Sequence, residues 1–374
     1  MYLKSQNRKL VFDLFREHKE LSRAQIAKMT EMSFPTAMKV VDFLISKNVV
    51  TDLGEENTKN KGPGRRSRIL QFNPEAFHAI GVEVEGSLVR IGRVNLQGEI
   101  SLLQTVTIKS HENLGYFDEV LQIVSSLIES SEIPPLGVGI GFPANINPET
   151  NEIVSYNPLF ITQPTALKTL IPLIEQLHIP FFIDNDVNLA CAGENLVTNG
   201  TDEHSLVYLT LGTGFGSGII ADGRLWRGER FSAGEVGNLL TGPIDSKAHR
   251  FPGISSLEKQ INIAAIKERF SVELEHCGPL DDALRSDIVD YLVPYLGTTI
   301  FNLLVILDIR HYVLSGIIPD RLGPLLFERL SAMLNTLPEE LGHVEVHPPH
   351  GSYPVVSGAA AMVFDQVIFQ EFSE

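Results

Sequence analysis

Apolar positions recur at helical spacing through residues 4–18, where Leu10, Val11, Leu14 and Phe15 make one stripe. In the next stretch, LSRAQIAKMT, Ser22 is followed three residues on by Gln25. That spacing fits a capping box and predicts a short second helix. A third helix is expected in EMSFPTAMKVVDFLISKNVV, with Ser33 as N-cap and Pro35 in the first turn, where a missing N–H costs little. Val40, Val41, Leu44 and Ile45 are its expected buried stripe. The pattern then changes to that of strands. Val49–Leu53 and Ser67–Phe72 flank a polar loop containing Gly and Pro, which predicts a hairpin.

From Ala79 the pattern is mainly β. AIGVEVEGSLVRIGRVNLQGEISLLQTVTI reads as strand, glycine turn, strand, Gln-Gly turn, strand. A similar text returns at Ser205 as SLVYLTLGTGFGSGIIADGRLWRG, again with a glycine turn and then an Asp-Gly turn. Helical patterns such as Phe117–Glu129 and Ala264–Phe270 are interspersed. An internally duplicated βββαβα unit predicts two α/β lobes with a cleft between them. Within the first lobe, FFIDNDVNLA (181–190) is a short apolar run ending in three polar residues. Ligands of α/β sheets bind at such strand tips. Asp184 is the expected cap of a helix beginning near Val187, which leaves Asn185 and Asp186 for a ligand. Asp186 could serve there as a general base or as a hydrogen-bond acceptor.

The chain has 374 residues, enough for two or three domains, and 43% hydrophobic against 20% charged residues, enough for a large core. No apolar run reaches bilayer length, Ile300–Leu307 being far too short, and MYLKSQNRKL lacks the apolar centre of a signal peptide. Two cysteines, Cys191 and Cys277, cannot make a disulfide framework, so the expected compartment is the cytoplasm, with no membrane partner. The net charge of −16 hides an asymmetry. Residues 1–72 hold 14 Lys/Arg and 8 Asp/Glu; the remainder holds 16 and 38.

A basic head on an acidic body is an electrostatic footprint for phosphate. Two short helices, the second presenting small polar and basic groups, read as a helix-turn-helix. The hairpin after them reads as its wing. The candidate DNA contacts are Arg23, Ser33, Pro35, Thr36 and Lys39 on the helices and Arg65, Arg66 and Arg68 on the wing, where Arg beside glycine can enter a minor groove. Taken singly, the helices could form only an interaction module and the arginines a solvated loop; their combination favours DNA.

The stretches SRAQIAKMTEMSFPTAMKVVDFL, GIGFPANI, NDVNLA, LGTGFGSGIIADGRLWRG, AGEVGN and GAAA, in this order, resemble the ROK family of repressors, open reading frames and kinases. The resemblance implies an α/β actin-like, sugar-kinase-like two-lobed fold preceded by an N-terminal winged helix-turn-helix domain. The expected divisions are 1–72 for the head and 73–190 for the first lobe, rejoined by a C-terminal helix at 355–374. The second lobe, 191–354, would carry the dimerisation surface. Family sugar ligands map onto Asn157, Asn185, Asp186, Glu235 and Glu258, with Asn238 a further candidate. In family kinases the residue at Asp186 is the catalytic base.

Two departures shape the expected function. ROK kinases carry Asp-x-Gly-Gly-Thr at the first phosphate hairpin, and this chain reads Glu83, Val84, Glu85, Gly86, Ser87. A carboxylate at the cradle repels the phosphate, so ATP binding and catalysis are not expected. GTGFGSG keeps its glycines, which a tight hairpin needs in any case. Family zinc sites use a His after Gly-Glu-x-Gly and a cysteine cluster. Here the His position is Asn238 and the Cys positions are His249, Phe251 and Ser256, so zinc is not expected. The resulting expectation is a DNA-binding regulator, a repressor of carbohydrate-utilisation genes. It would act as a homodimer or higher homo-oligomer on operator DNA and answer to a sugar or sugar phosphate in the interlobe cleft. The alternatives are a sugar kinase carrying a DNA-binding domain and a degenerate module with an empty cleft.

Overall fold

A computed structural model describes residues 2–55, 68–85, 88–107, 115–129, 133–148, 150, 152–156, 177–198, 205–242 and 257–368. The chain divides into two compact units, Met1–Asp202 with Tyr353–Glu374, and Glu203–Ser352. The division falls at 202/203, not at 190/191, because position 190 lies in the middle of a continuous helix.

The first unit opens with α1 (Tyr2–His18), β1 (Glu20–Ser22), α2 (Arg23–Met29), α3 (Phe34–Ser46), β2 (Val50–Glu55) and β3 (Arg68–Phe72). The three strands form an antiparallel sheet in the order β1-β3-β2. The Ser22–Gln25 capping box is present, and Ser33 caps α3 by accepting from the Thr36 N–H, with Pro35 in the first turn. Glu31, left-handed at φ 54°, makes the turn between α2 and α3. Val40, Val41 and Leu44 are fully or nearly fully buried, while Ile45 is half-buried. In α1 the buried stripe is Val11, Phe12 and Phe15; Leu10 is 45% exposed. Phe12 takes the expected place of Leu10, packing edge-on against Phe72 at 5.7 Å between ring centroids. β1 has no trace in the sequence pattern because three residues are too few to show a period of two.

The lobe of this unit contains β4 (His78–Glu85), β5 (Leu88–Asn95), β6 (Ile100–Thr107), α4 (Gly115–Glu129), β7 (Val138–Phe142), the paired β8 (Ala144–Asn147) and β9 (Glu152–Tyr156), β10 (Phe181–Asn185) and α5 (Asp186–Val197). Its sheet order is β10-β7-β4-β5-β6. The meander β4–β6 is antiparallel, while β7 and β10 run parallel to β4.

The second unit repeats this plan. It holds β11 (Leu206–Leu211), β12 (Phe215–Ala221), β13 (Arg224–Leu225), α6 (Glu258–Ile261), α7 (Ile263–Phe270), α8 (Asp282–Leu307), β14 (His311–Ser315), α9 (Ile317–Leu322), α10 (Pro324–Leu334) and β15 (Glu345–His347). The sheet order β13-β12-β11-β14-β15 is again a meander continued by two parallel strands. Among the described residues, α8 alone is long and apolar enough to cross a membrane. Ile288, Leu292, Leu296 and Ile300, one per turn, lie fully buried in the core of this unit.

The last helix, α11 (Pro354–Val367), returns to the first unit. It packs on α5 backbone to backbone. A Cβ at Gly193 would collide with the Pro354 carbonyl, and one at Gly358 with the Leu189 carbonyl. One apolar cluster joins α11, through Val356, Val363 and Phe364, to the head, through Val11, Phe15 and Leu70.

Candidate functional site

In the first unit, the parallel strands β4, β7 and β10 end side by side. Gly141 of β7 is in register with Glu83 of β4 and with Asp184 of β10. The carboxyl ends of such strands are where α/β sheets hold ligands. Asp184 is fully buried, and its carboxylate accepts from the Asn185 N–H at 2.8 Å. It does not cap the helix. Asn185 does, through Oδ1 accepting from the Asn188 N–H at 3.0 Å, and its Nδ2 donates to the Ala144 carbonyl at 3.3 Å. The reason is positional: α5 begins at Asp186, one residue earlier than expected, so the cap moves from Asp184 to Asn185.

Asp186 is therefore the first helical residue, and its carboxylate accepts from the Val187 N–H at 2.8 Å. Burial pushes this carboxyl up to about 7; the charges of Glu83 and Glu85 push in the same direction, while backbone N–H bonds oppose them. A Cβ at Gly141 would lie 3.5 Å from the Asp186 Cα, so Asp186 and Glu83 flank the same backbone position.

The sequence reading passes over Arg90. Its guanidinium donates to Glu83 at 2.9 Å and to Glu85 at 2.8 Å. Burial raises the Glu83 carboxyl, against the pull of Arg90. The signal for Arg90 was in EVEGSLVR. In the β4–β5 pairing residue 88 lies opposite 85 and residue 90 opposite 83, as symmetric pairing about Gly86-Ser87 in the sequence implies. The hairpin that would cradle phosphate is thus lined by a Glu–Arg–Glu ion-pair cluster.

In the second unit, Gly212, Thr213 and Gly214 connect β11 to β12. Glu258, the first residue of α6, sends its carboxylate to this turn and accepts from the Phe215 N–H at 2.9 Å. Its Oε2 lies 3.0 Å from where a Gly214 Cβ would be and 3.1 Å from a Gly237 Cβ, so both glycines make room for it. Glu235 and Asn238 are exposed at a 3-10 turn, Val236–Asn238, with the Asn238 amide donating to Glu235 at 3.4 Å. Ser217 holds this segment to β12, its N–H and hydroxyl both donating to the Gly234 carbonyl, at 2.8 and 2.9 Å. Asn238 offers an amide where the family zinc site needs an imidazole, and no cysteine lies between Cys191 and Cys277 in the sequence.

On the head, Ser33, Pro35 and Lys39 are exposed and Thr36 is half-buried, at the start of α3. Arg23 is committed within the head, donating to Asp42 at 2.9 Å and tying α2 to α3. Arg68 pairs with Asp52 at 3.0 Å across the hairpin. Arg65, Arg66 and Asn157 lie outside the described residues, as do His249, Phe251 and Ser256.

Residues 79–365 match the ROK family, and the chain belongs to it. Its fold is the actin-like, sugar-kinase-like fold of that family. The chain is 31% identical to the xylose repressor of Caldicellulosiruptor bescii over 63% of its own length, and the match spans 59% of that relative. It is 24% identical to the xylose repressor of Bacillus spizizenii, over 99% of this chain and 97% of that one. Among solved structures, a ROK family transcriptional regulator described as a homologue of the E. coli MLC protein covers 99% of this chain and is itself covered to 97%, at TM-score 0.76 and 18% identity. A ROK family glucokinase from Streptomyces griseus, solved with glucose and AMPPNP, has TM-score 0.63 at 21% identity, over 76% of this chain and 98% of its own.

Proposed function

We propose that this protein is a sugar-responsive transcriptional repressor and not a kinase. The head is a winged helix-turn-helix domain. It reads operator DNA with the start of α3, where Ser33, Pro35, Thr36 and Lys39 reach the outer face. The effector is a sugar or sugar phosphate; Asp186 is a candidate ligand in the first unit, and Glu235, Asn238 and Glu258 are candidate ligands in the second, with no zinc. Asn185, engaged at both ends of its amide, positions the start of α5 and contacts the sugar less than the sequence implies. The observation that carries the choice between repressor and kinase is the Glu83–Arg90–Glu85 cluster. A kinase needs that hairpin to neutralise phosphate charge, and here Arg90 is already bound by two carboxylates. The names of the repressor relatives support the same reading.

The deciding experiment is a gel shift on operator DNA from the protein's own promoter, with a panel of sugars and sugar phosphates. Asp186→Asn should keep operator binding and lose the sugar response. Failure of both would make the residue structural. Incubation with ATP, magnesium and hexoses should yield no sugar-dependent ADP; clear release would favour the kinase. The repressor acts as a homodimer, since paired half-sites call for paired heads. A candidate surface is the end of α8, where Val305 is 59% and Ile306 75% exposed. Sedimentation of Ile306→Glu should show monomer; an unchanged dimer would put the interface elsewhere.

A further inference from the structure

We infer that the effector is an uncharged sugar, and that Glu83 and Glu85 are the residues that exclude sugar phosphates. This rests on the proposed effector role of Asp186. Glu83 and Asp186 flank Gly141, and Glu85 lies on the same hairpin edge. Arg90 bridges both glutamates but supplies one positive charge to a group of three carboxylates. With both glutamates ionised the cluster is net negative, and more so when Asp186 is ionised as well. A neutral sugar loses nothing there, because its hydroxyls donate to carboxylates. A phosphate dianion meets like charge at short range, and the guanidinium that could bind it already has two partners.

The test is a thermal-shift titration with D-xylose, D-glucose, N-acetylglucosamine and the phosphate esters of each. At least one neutral sugar should stabilise the protein, with its phosphate ester at least tenfold weaker. In Glu83→Gln/Glu85→Gln that gap should shrink to threefold or less. Should loss of both partners of Arg90 prevent folding, the triple variant with Arg90→Gln removes the whole cluster at once. A phosphate ester binding as tightly as its parent, or an unchanged gap in the folded variant, overturns the inference and leaves the repressor reading standing. If no compound of either kind binds, the effector reading fails and takes this inference with it.

A separate observation concerns how the signal travels. We propose that α5 and α11 form a strut between the Asp186 site and the head, with Arg16 as its coupling residue. α5 starts at Asp186, and near the other end of this 12-residue helix the Leu196 carbonyl accepts from Arg16 of α1. Arg16 is only 6% exposed, also pairs with Asp13, and has its Nε buried without a partner. Lys9 of α1 pairs with Asp365 of α11 at 2.7 Å. The glycine contacts at 193 and 358 lock α5 to α11, so a displacement at one end of the pair moves the other.

The test pairs two readouts on Arg16→Gln, using whichever compound of the panel releases the wild-type protein from operator DNA. Effector binding by thermal shift and operator affinity without effector should both stay within threefold of wild type. The effector-induced loss of operator affinity should fall at least fivefold. An unchanged response, or loss of operator binding itself, overturns the strut. If Arg16→Gln does not fold, Lys9→Ala/Asp365→Ala, on more exposed side chains, faces the same criteria. If no compound releases wild-type protein, there is no signal to carry and the strut falls with it.

Discussion

The two units share one topology and part company at their first hairpins. In each, an antiparallel meander is continued by two parallel strands. In the first, Glu83 and Glu85 line the hairpin and Arg90 crosses to both. In the second, the turn keeps its glycines, but the Phe215 N–H, one of the amides such a turn offers an anion, already donates to Glu258. Topology is held by strand order and core packing, which neither change disturbs. Phosphate affinity depends on a few donors at the turn, and two of the candidates, Arg90 and the Phe215 N–H, have partners within the protein. A duplicated fold preserves where a site lies and leaves its chemistry free to change.

The largest expected effect falls on the first hairpin. Arg90→Leu leaves Glu83, whose side chain is 15% exposed, beside Glu85 without a counter-charge. Removing one partner of a buried pair costs about 3–5 kcal/mol. Because the Glu85 side chain is 67% exposed, we expect about 2–3 kcal/mol here, read from urea unfolding. A loss below about 0.5 kcal/mol would mean that the cluster is solvated and does not define this hairpin. The second hairpin should answer more weakly. Glu258→Ala strands the Phe215 N–H and should cost about 1–2 kcal/mol. A larger cost than at Arg90 would reverse the comparison.

Much of this arrangement was legible in the sequence, and what was not has physical reasons. The capping box at Ser22 and the N-cap at Ser33 are local, so spacing alone predicts them. The hairpin glycine turns are local as well, and reading their symmetry fully would have placed Arg90 opposite Glu83. Glu258 reaches Phe215 across 43 residues, a contact no periodicity encodes. The cap at Asn185 was missed by one position because Asp184, Asn185 and Asp186 are all competent caps. Which of them serves depends on where β10 releases the chain, and pairing with β7 holds it through Asn185. Leu10 looked buried because a helical stripe read from four residues leaves its centre uncertain by one position.

A third effect, no larger than that at Glu258, tests whether the first hairpin's charge reaches the ligand site. The Asp186 carboxyl is raised to about 7 by burial and then by Glu83 and Glu85. A carboxyl raised in the folded state favours folding while it is protonated, below its ordinary value near 4. That contribution is lost as pH climbs from there through about 7. Asp186→Asn removes the titration yet keeps an oxygen that can accept from the Val187 N–H. The variant should therefore gain stability relative to wild type between pH 5 and pH 8. We expect a gain of about 1–2 kcal/mol, less than the full shift implies at about 1.4 kcal/mol per pH unit, because the residue is only half-buried. Parallel stability curves for the two proteins would show a well-solvated Asp186 that does not feel Glu83 and Glu85. The first hairpin would then differ from the second only in its own bonds, and its carboxylates would have no hold on what binds beside them.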